Sequence, residues 1–166
     1  MPVGPGKDSL IFDTGPLETF AFADEPAWSA LWSGFGSRMH RTDAVVDEIA
    51  RKIRRHQTFL EKVTIALWPA APIDLSDDES QHMIDTLRER LRREGDSPTQ
   101  HVGEAATILA ARRCGGIAVI DDFDGASLAR AEAVRVVRTL DLLNNLLRGG
   151  RLPCADGWST WRRMRS

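Results

Sequence analysis

The chain has 166 residues, of which 42% are hydrophobic and 28% charged, the balance of one folded domain rather than a disordered chain. Lys plus Arg number 22 against 24 Asp plus Glu, a net charge of −2, which excludes a uniformly basic nucleic-acid coat but leaves room for a local basic surface. Two cysteines exclude a disulfide framework, no apolar stretch is long enough for a bilayer, and the Gly/Pro-rich start shows no signal peptide, so a cytoplasmic protein away from membranes is expected.

Residues 1–7 read as a flexible leader, residues 8–148 as the folded domain, and residues 149–166 as a Trp/Arg-rich tail packed on it or extending it. Ser9-Leu10-Ile11-Phe12 is an apolar run that stops at Asp13-Thr14-Gly15-Pro16. It reads as a strand turning into a helix, with Pro16 in the first turn, where a missing N–H is harmless. Leu17, Phe20, Trp28, Leu31 and Trp32 recur at helical spacing and are broken near Pro26, which predicts two short helices. Thr42 caps a predicted helix over residues 43–58, with Val45, Val46, Ile49 and Ile53 on its apolar face. Its later turns are basic: Arg51, Lys52, Arg54, Arg55 and His56. Residues 63–67 read as a strand. Ser76-Asp77-Asp78-Glu79 has the pattern of a capping box, opening a helix to about Arg93, and residues 95–98 form a loop.

A further helix spans about residues 102–113, stopped by Gly115-Gly116. Ile117 to Ile120 is a continuous apolar run, the mark of a strand buried on both faces, and it ends at Asp121-Asp122. A short helix over 125–131, a strand over 134–137 and a helix over 139–148 follow, and Trp158, Trp161, Arg162, Arg163 and Arg165 mark the tail. Strands alternating with helices predict an α/β fold with a mainly parallel sheet, whose ligands bind beyond the carboxyl ends of the strands. Two of those ends carry aspartate. Carboxylates gathered there repel one another unless a cation neutralises them, and an oxygen-only set suits Mg²⁺ or Mn²⁺. Glu48 and Glu104 are the helix carboxylates placed to complete the set, against simpler roles as a salt-bridge partner of Lys52 and as a first-turn acid.

Four segments, in order, resemble the motifs of the PIN-domain family. These are Leu10-Ile11-Phe12-Asp13-Thr14-Gly15-Pro16-Leu17, Thr42-Asp43-Ala44-Val45-Val46-Asp47-Glu48-Ile49, Gly103-Glu104-Ala105-Ala106-Thr107-Ile108 and Ile117-Ala118-Val119-Ile120-Asp121-Asp122. The resemblance implies a three-layer α/β/α domain and a Mg²⁺- or Mn²⁺-dependent endoribonuclease, most often the toxin of a bacterial toxin–antitoxin pair. It assigns metal binding and catalysis to Asp13, Glu48, Glu104 and one or both of Asp121 and Asp122, with Asp124 a more distant acid. Thr14 matches the hydroxyl residue beside the first acid. RNA as substrate, an antitoxin and a second copy of the chain are the expected partners, and Arg51, Arg54 and Arg55 are candidates for substrate contact. The alternative is a PIN-like module that binds RNA or protein without cleaving. A receiver-like domain fits poorly, because Lys7, Lys52 and Lys62 are the only lysines and none ends a later strand.

Overall fold

The structure is a computed structural model that describes residues 5–23, 25–55 and 57–164. His56, Arg165, the side chain of Trp158 and the first four residues of the leader lie outside the described residues.

Four short parallel strands form the sheet, in the order β2 (Met39–His40), β1 (Leu10–Phe12), β3 (Ile117–Val119), β4 (Arg135–Val137). The register sets Ile11 beside His40 and Ala118, and Val119 beside Phe12 and Val137. Because side chains alternate across a strand, the sheet feeds two cores. Leu10, Phe12 and Val119 join one core, and Ile11, Ala118 and Ile120 join the other. The first core is closed by α1 (Thr14–Ala23), α2 (Glu25–Phe35), α3 (Asp43–Arg54), α4 (Glu61–Ile65), α8 (Thr139–Arg148) and α9 (Cys154–Met164). The second is closed by α5 (Asp78–Leu91), α6 (Val102–Cys114) and α7 (Phe123–Ala131). The result is the expected α/β/α sandwich on an all-parallel sheet.

Two features of this frame position the acidic residues of α3 and α6. Buried Thr42 caps α3, its hydroxyl accepting the Val45 N–H at 3.3 Å, and orients the helix that carries Glu48. Helix α6 is buried along nearly its whole length through Ala105, Ala106, Ile108, Leu109, Ala110 and Ala111, so its first turn is rigidly placed against the sheet. Gly115, at φ 67°, ends it in the left-handed conformation that glycine adopts without strain.

Several local expectations are corrected. Residues 63–67 are not a strand: α4 occupies Glu61–Ile65, the β-branched Val63, Thr64 and Ile65 being overruled by burial of Val63 in the core. Asp77, not Ser76, caps α5, its carboxylate accepting the Ser80 N–H at 2.9 Å. Helix α3 ends at Arg54, short of residue 58, and α7 starts at Phe123, two residues early because Asp122 caps it. The two-residue strand β2 and the tail helix α9 had no clear sequence signal; α9 packs against α1, α2 and α8. At the two sheet ends, Ile73 bridges Thr42 just past β2, and β4 exposes Arg135, whose guanidinium donates to the carbonyls of Lys7 and Gly115.

Candidate acidic site

Asp13 follows directly on β1, its N–H still donating to the Val119 carbonyl at 3.1 Å. It lies between two central strands at their carboxyl end and is only 8% exposed. Glu48 comes from the second turn of α3 and Glu104 from the first turn of α6. Together with Thr14, Gly15, Lys52, Gln100, His101 and Gly103 they line one pocket of about 260 Å³. Gly103 lies at its centre: a Cβ there would stand 2.9 Å from Glu48 Oε2, 3.0 Å from Asp13 Oδ1 and 3.7 Å from Thr14 Oγ1. Two acids far apart in sequence, Asp13 and Glu48, thus meet at a residue whose missing side chain makes the space, and Glu104 lines the same pocket.

The electrostatics are those of crowded carboxylates. Burial, then the charge of Glu104, pushes the Asp13 carboxyl up to about 8; the N–H groups of Thr14 and Gly15 pull it part of the way back, and Glu48 raises it further. Burial also lifts Glu104, partly offset by its hydrogen bond from His101 and reinforced by the charges of Asp122 and Glu48. Two basic side chains answer this charge. Lys52 Nζ is 2.5 Å from Glu18 Oε2 and 3.5 Å from Glu48 Oε1. Desolvation pulls its ammonium down, but the bonds and charges of Glu18 and Glu48 outweigh that and hold it above its ordinary range. His101 spans two carboxylates, Nδ1 at 2.7 Å from Glu104 Oε2 and Nε2 at 3.0 Å from Asp96 Oδ2. Desolvation alone would lower this imidazole, yet the two acids raise it.

The remaining sequence candidates sit elsewhere. Asp121 gives both oxygens to Thr139, taking its N–H at 2.7 Å and its hydroxyl at 2.6 Å. Asp122 caps α7 through Oδ2, which accepts the N–H groups of Asp124 and Gly125 at 2.8 and 2.9 Å. Neither lines the pocket, though the charge of Asp122 is felt at Glu104. Asp124 pairs with Arg93, and Asp47 is exposed on α3. Arg51, Arg54 and Arg55 lie on the last turns of α3 and beyond, with Arg54 and Arg55 exposed, and none reaches the pocket. The expected i,i+4 pair of Glu48 with Lys52 is present, whereas the bond from Lys52 to Glu18 has no signal in the sequence; the His101 backbone occupies the N-cap position of α6, at φ 64°, but its ring makes no capping bond.

Among the described residues no three side chains of His, Cys, Asp or Glu stand close enough to enclose a metal ion as placed. The chemistry of the lining still fits a hard cation. It is oxygen-rich, and the buried Thr14 hydroxyl meets no hydrogen-bond partner among the described residues. The space at Gly103 also brings Glu48 Oε2 and Asp13 Oδ1 toward one point. No family model matches the chain, and searches of curated proteins and of solved structures return no match.

Proposed function

We propose that the chain is a Mg²⁺- or Mn²⁺-dependent endoribonuclease hydrolysing RNA phosphodiester bonds, the toxin half of a bacterial toxin–antitoxin pair. The observation that carries the nuclease reading is the approach of Asp13 Oδ1 and Glu48 Oε2 to one point at Gly103, in a pocket that Glu104 also lines, at the end of the sheet where α/β folds bind ligands. The toxin reading rests on the sequence resemblance alone.

Asp13, Glu48 and Glu104 would hold the cation, with Thr14 Oγ1 as a neighbouring oxygen. A bound divalent ion supplies a water of lowered pKa and a counter-charge for the leaving oxygen. The protein's own groups do the positioning. The Thr14 and Gly15 N–H groups favour the ionised form of Asp13, which burial opposes. His101 fixes one oxygen of Glu104, and Lys52 sets a positive charge at the pocket wall, suited to a phosphate. Asp121 is left out of the ligand set because Thr139 occupies both of its oxygens.

RNA cleavage with Mn²⁺, with and without EDTA, tests this directly. Cleavage that needs the ion, together with a melting temperature raised by Mn²⁺, supports the reading. A second reading, a module that binds RNA without cutting, is favoured by the one fact that no three ligating side chains are gathered as placed among the described residues. It predicts RNA binding with neither cleavage nor an ion-induced rise in melting temperature.

A further inference from the structure

Beside the acidic pocket lies a second cavity of about 420 Å³, lined by Gly15, Glu18, Phe22, Gln57, Phe59 and Arg163. The two are contiguous. Gly15 lines both, and the Glu18–Lys52 ion pair forms the strut between them. The volume is that of a small-molecule site, and its walls have a definite chemistry. Phe22 is 58% exposed, an unusual setting for a phenyl ring, and it meets Phe59 edge to face with centroids 5.3 Å apart. The Gln57 side-chain oxygen is sealed from solvent and has no hydrogen-bond donor among the described residues. An acceptor buried without a donor costs free energy that a ligand's N–H relieves. Arg163 reaches over from α9, anchored by the Ala23 carbonyl at 2.9 Å, and brings a guanidinium to the rim.

We propose that this cavity receives one unstacked base of a single-stranded RNA, next to the phosphodiester held at the acidic pocket. The proposal rests on the reading of that pocket as an RNA site. An aromatic face for stacking and an amide for the base edge are what a flipped base requires, and the guanidinium suits the adjoining phosphate. An apolar peptide side chain would use the rings and leave the amide oxygen unsatisfied, whereas a base uses both. Phe22 and Gln57 are thereby specificity-determining residues, and the one-residue link through Gly15 fixes the base a short step along the strand from the cleaved bond.

The test measures binding without cleavage. The full chain carrying Asp13→Asn is titrated into a short labelled oligoadenylate and into an abasic strand of equal length. The abasic strand is expected to bind at least about tenfold more weakly, the loss of one stacked base. Phe22→Ala and Gln57→Leu, each checked for an intact melting transition, are expected to narrow that gap, and Phe22→Trp to retain it. Equal binding of the two strands, or a gap unmoved by both Phe22→Ala and Gln57→Leu, overturns the proposal. Wild-type cleavage with no such gap removes the base pocket and leaves the nuclease reading standing. A gap that responds to Phe22 and Gln57, in a chain that never cleaves, removes the nuclease reading and keeps the base pocket.

Discussion

At the scale of single residues, Asp13 is under the greatest electrostatic strain in the site. Its carboxyl titrates near 8 in the folded chain against 3.8 for an ordinary aspartate. Below the lower value it is neutral in both states and exacts no penalty. As pH rises, the unfolded chain ionises first, so stability without divalent ions falls between about pH 4 and pH 8, by up to about 1.4 kcal/mol per unit. Asp13→Asn is expected to flatten that slope, to melt higher than wild type near pH 8, and to lose both the Mn²⁺-induced rise and RNA cleavage. A pH series of thermal melts checks the stability half, and marked destabilisation of the variant would mean that Asp13 is held for structure. Gly103→Ala tests the space itself. The new Cβ would press on Glu48 Oε2 and Asp13 Oδ1, so the ion-induced rise should vanish, while the fold, gaining a better helix former, should melt no lower without ions. Asp121→Ala is expected to behave in the opposite way. Freeing the Thr139 N–H and hydroxyl should cost about 1–3 kcal/mol and leave the response to Mn²⁺ intact, as calorimetry with and without the ion will show.

At the scale of elements, the caps decide where the acids point. Thr42→Ala removes the acceptor for the Val45 N–H in a buried position and should cost about 1 kcal/mol, a drop of about 2–4 °C in melting temperature for a chain of this size. Because α3 carries Glu48, the same substitution should also weaken the Mn²⁺ response. The legible parts of the fold were those where pattern and tertiary structure agree: the apolar runs ending at Asp13 and Asp121, the Thr42 cap, the Gly115 stop and helix α8. The misread parts are short or decided at a distance. Val63-Thr64-Ile65 has strand-like composition, but burial of Val63 against the first core sets it as helix. The strand β2 has two residues, too few for any periodicity. In the site, Asp13, Glu48 and Glu104 were named from their motifs. The bond between His101 and Asp96 was not, because it depends on how the loop before α6 folds back. Asp121 and Asp122 looked equivalent in sequence, and only the position of Thr139 shows that the first is spent on a structural pair.

At the scale of the whole molecule, the proposed RNA substrate would have to coexist with a net charge of −2, which calls for positive charge that is local. Lys52 stands in the pocket, and Arg51, Arg54 and Arg55 extend from the same helix onto the surface. Neutralising those three arginines together should weaken RNA binding and lower the slope of log affinity against log salt by up to about one for each phosphate no longer neutralised. Titrations at several salt concentrations read this, and an unaltered slope would take the strand's path away from α3. Among the described residues no helix is long and apolar enough to cross a membrane. The two margins of the sheet carry a different consequence. One is continued by Ile73 beyond β2, and the other is a three-residue strand with a charged Arg135 turned outward and tethered to neighbouring carbonyls. Both margins are poor templates for adding a foreign strand. The fold is thereby guarded against ribbon-like polymerisation, and any pairing between copies is left to its helical flanks.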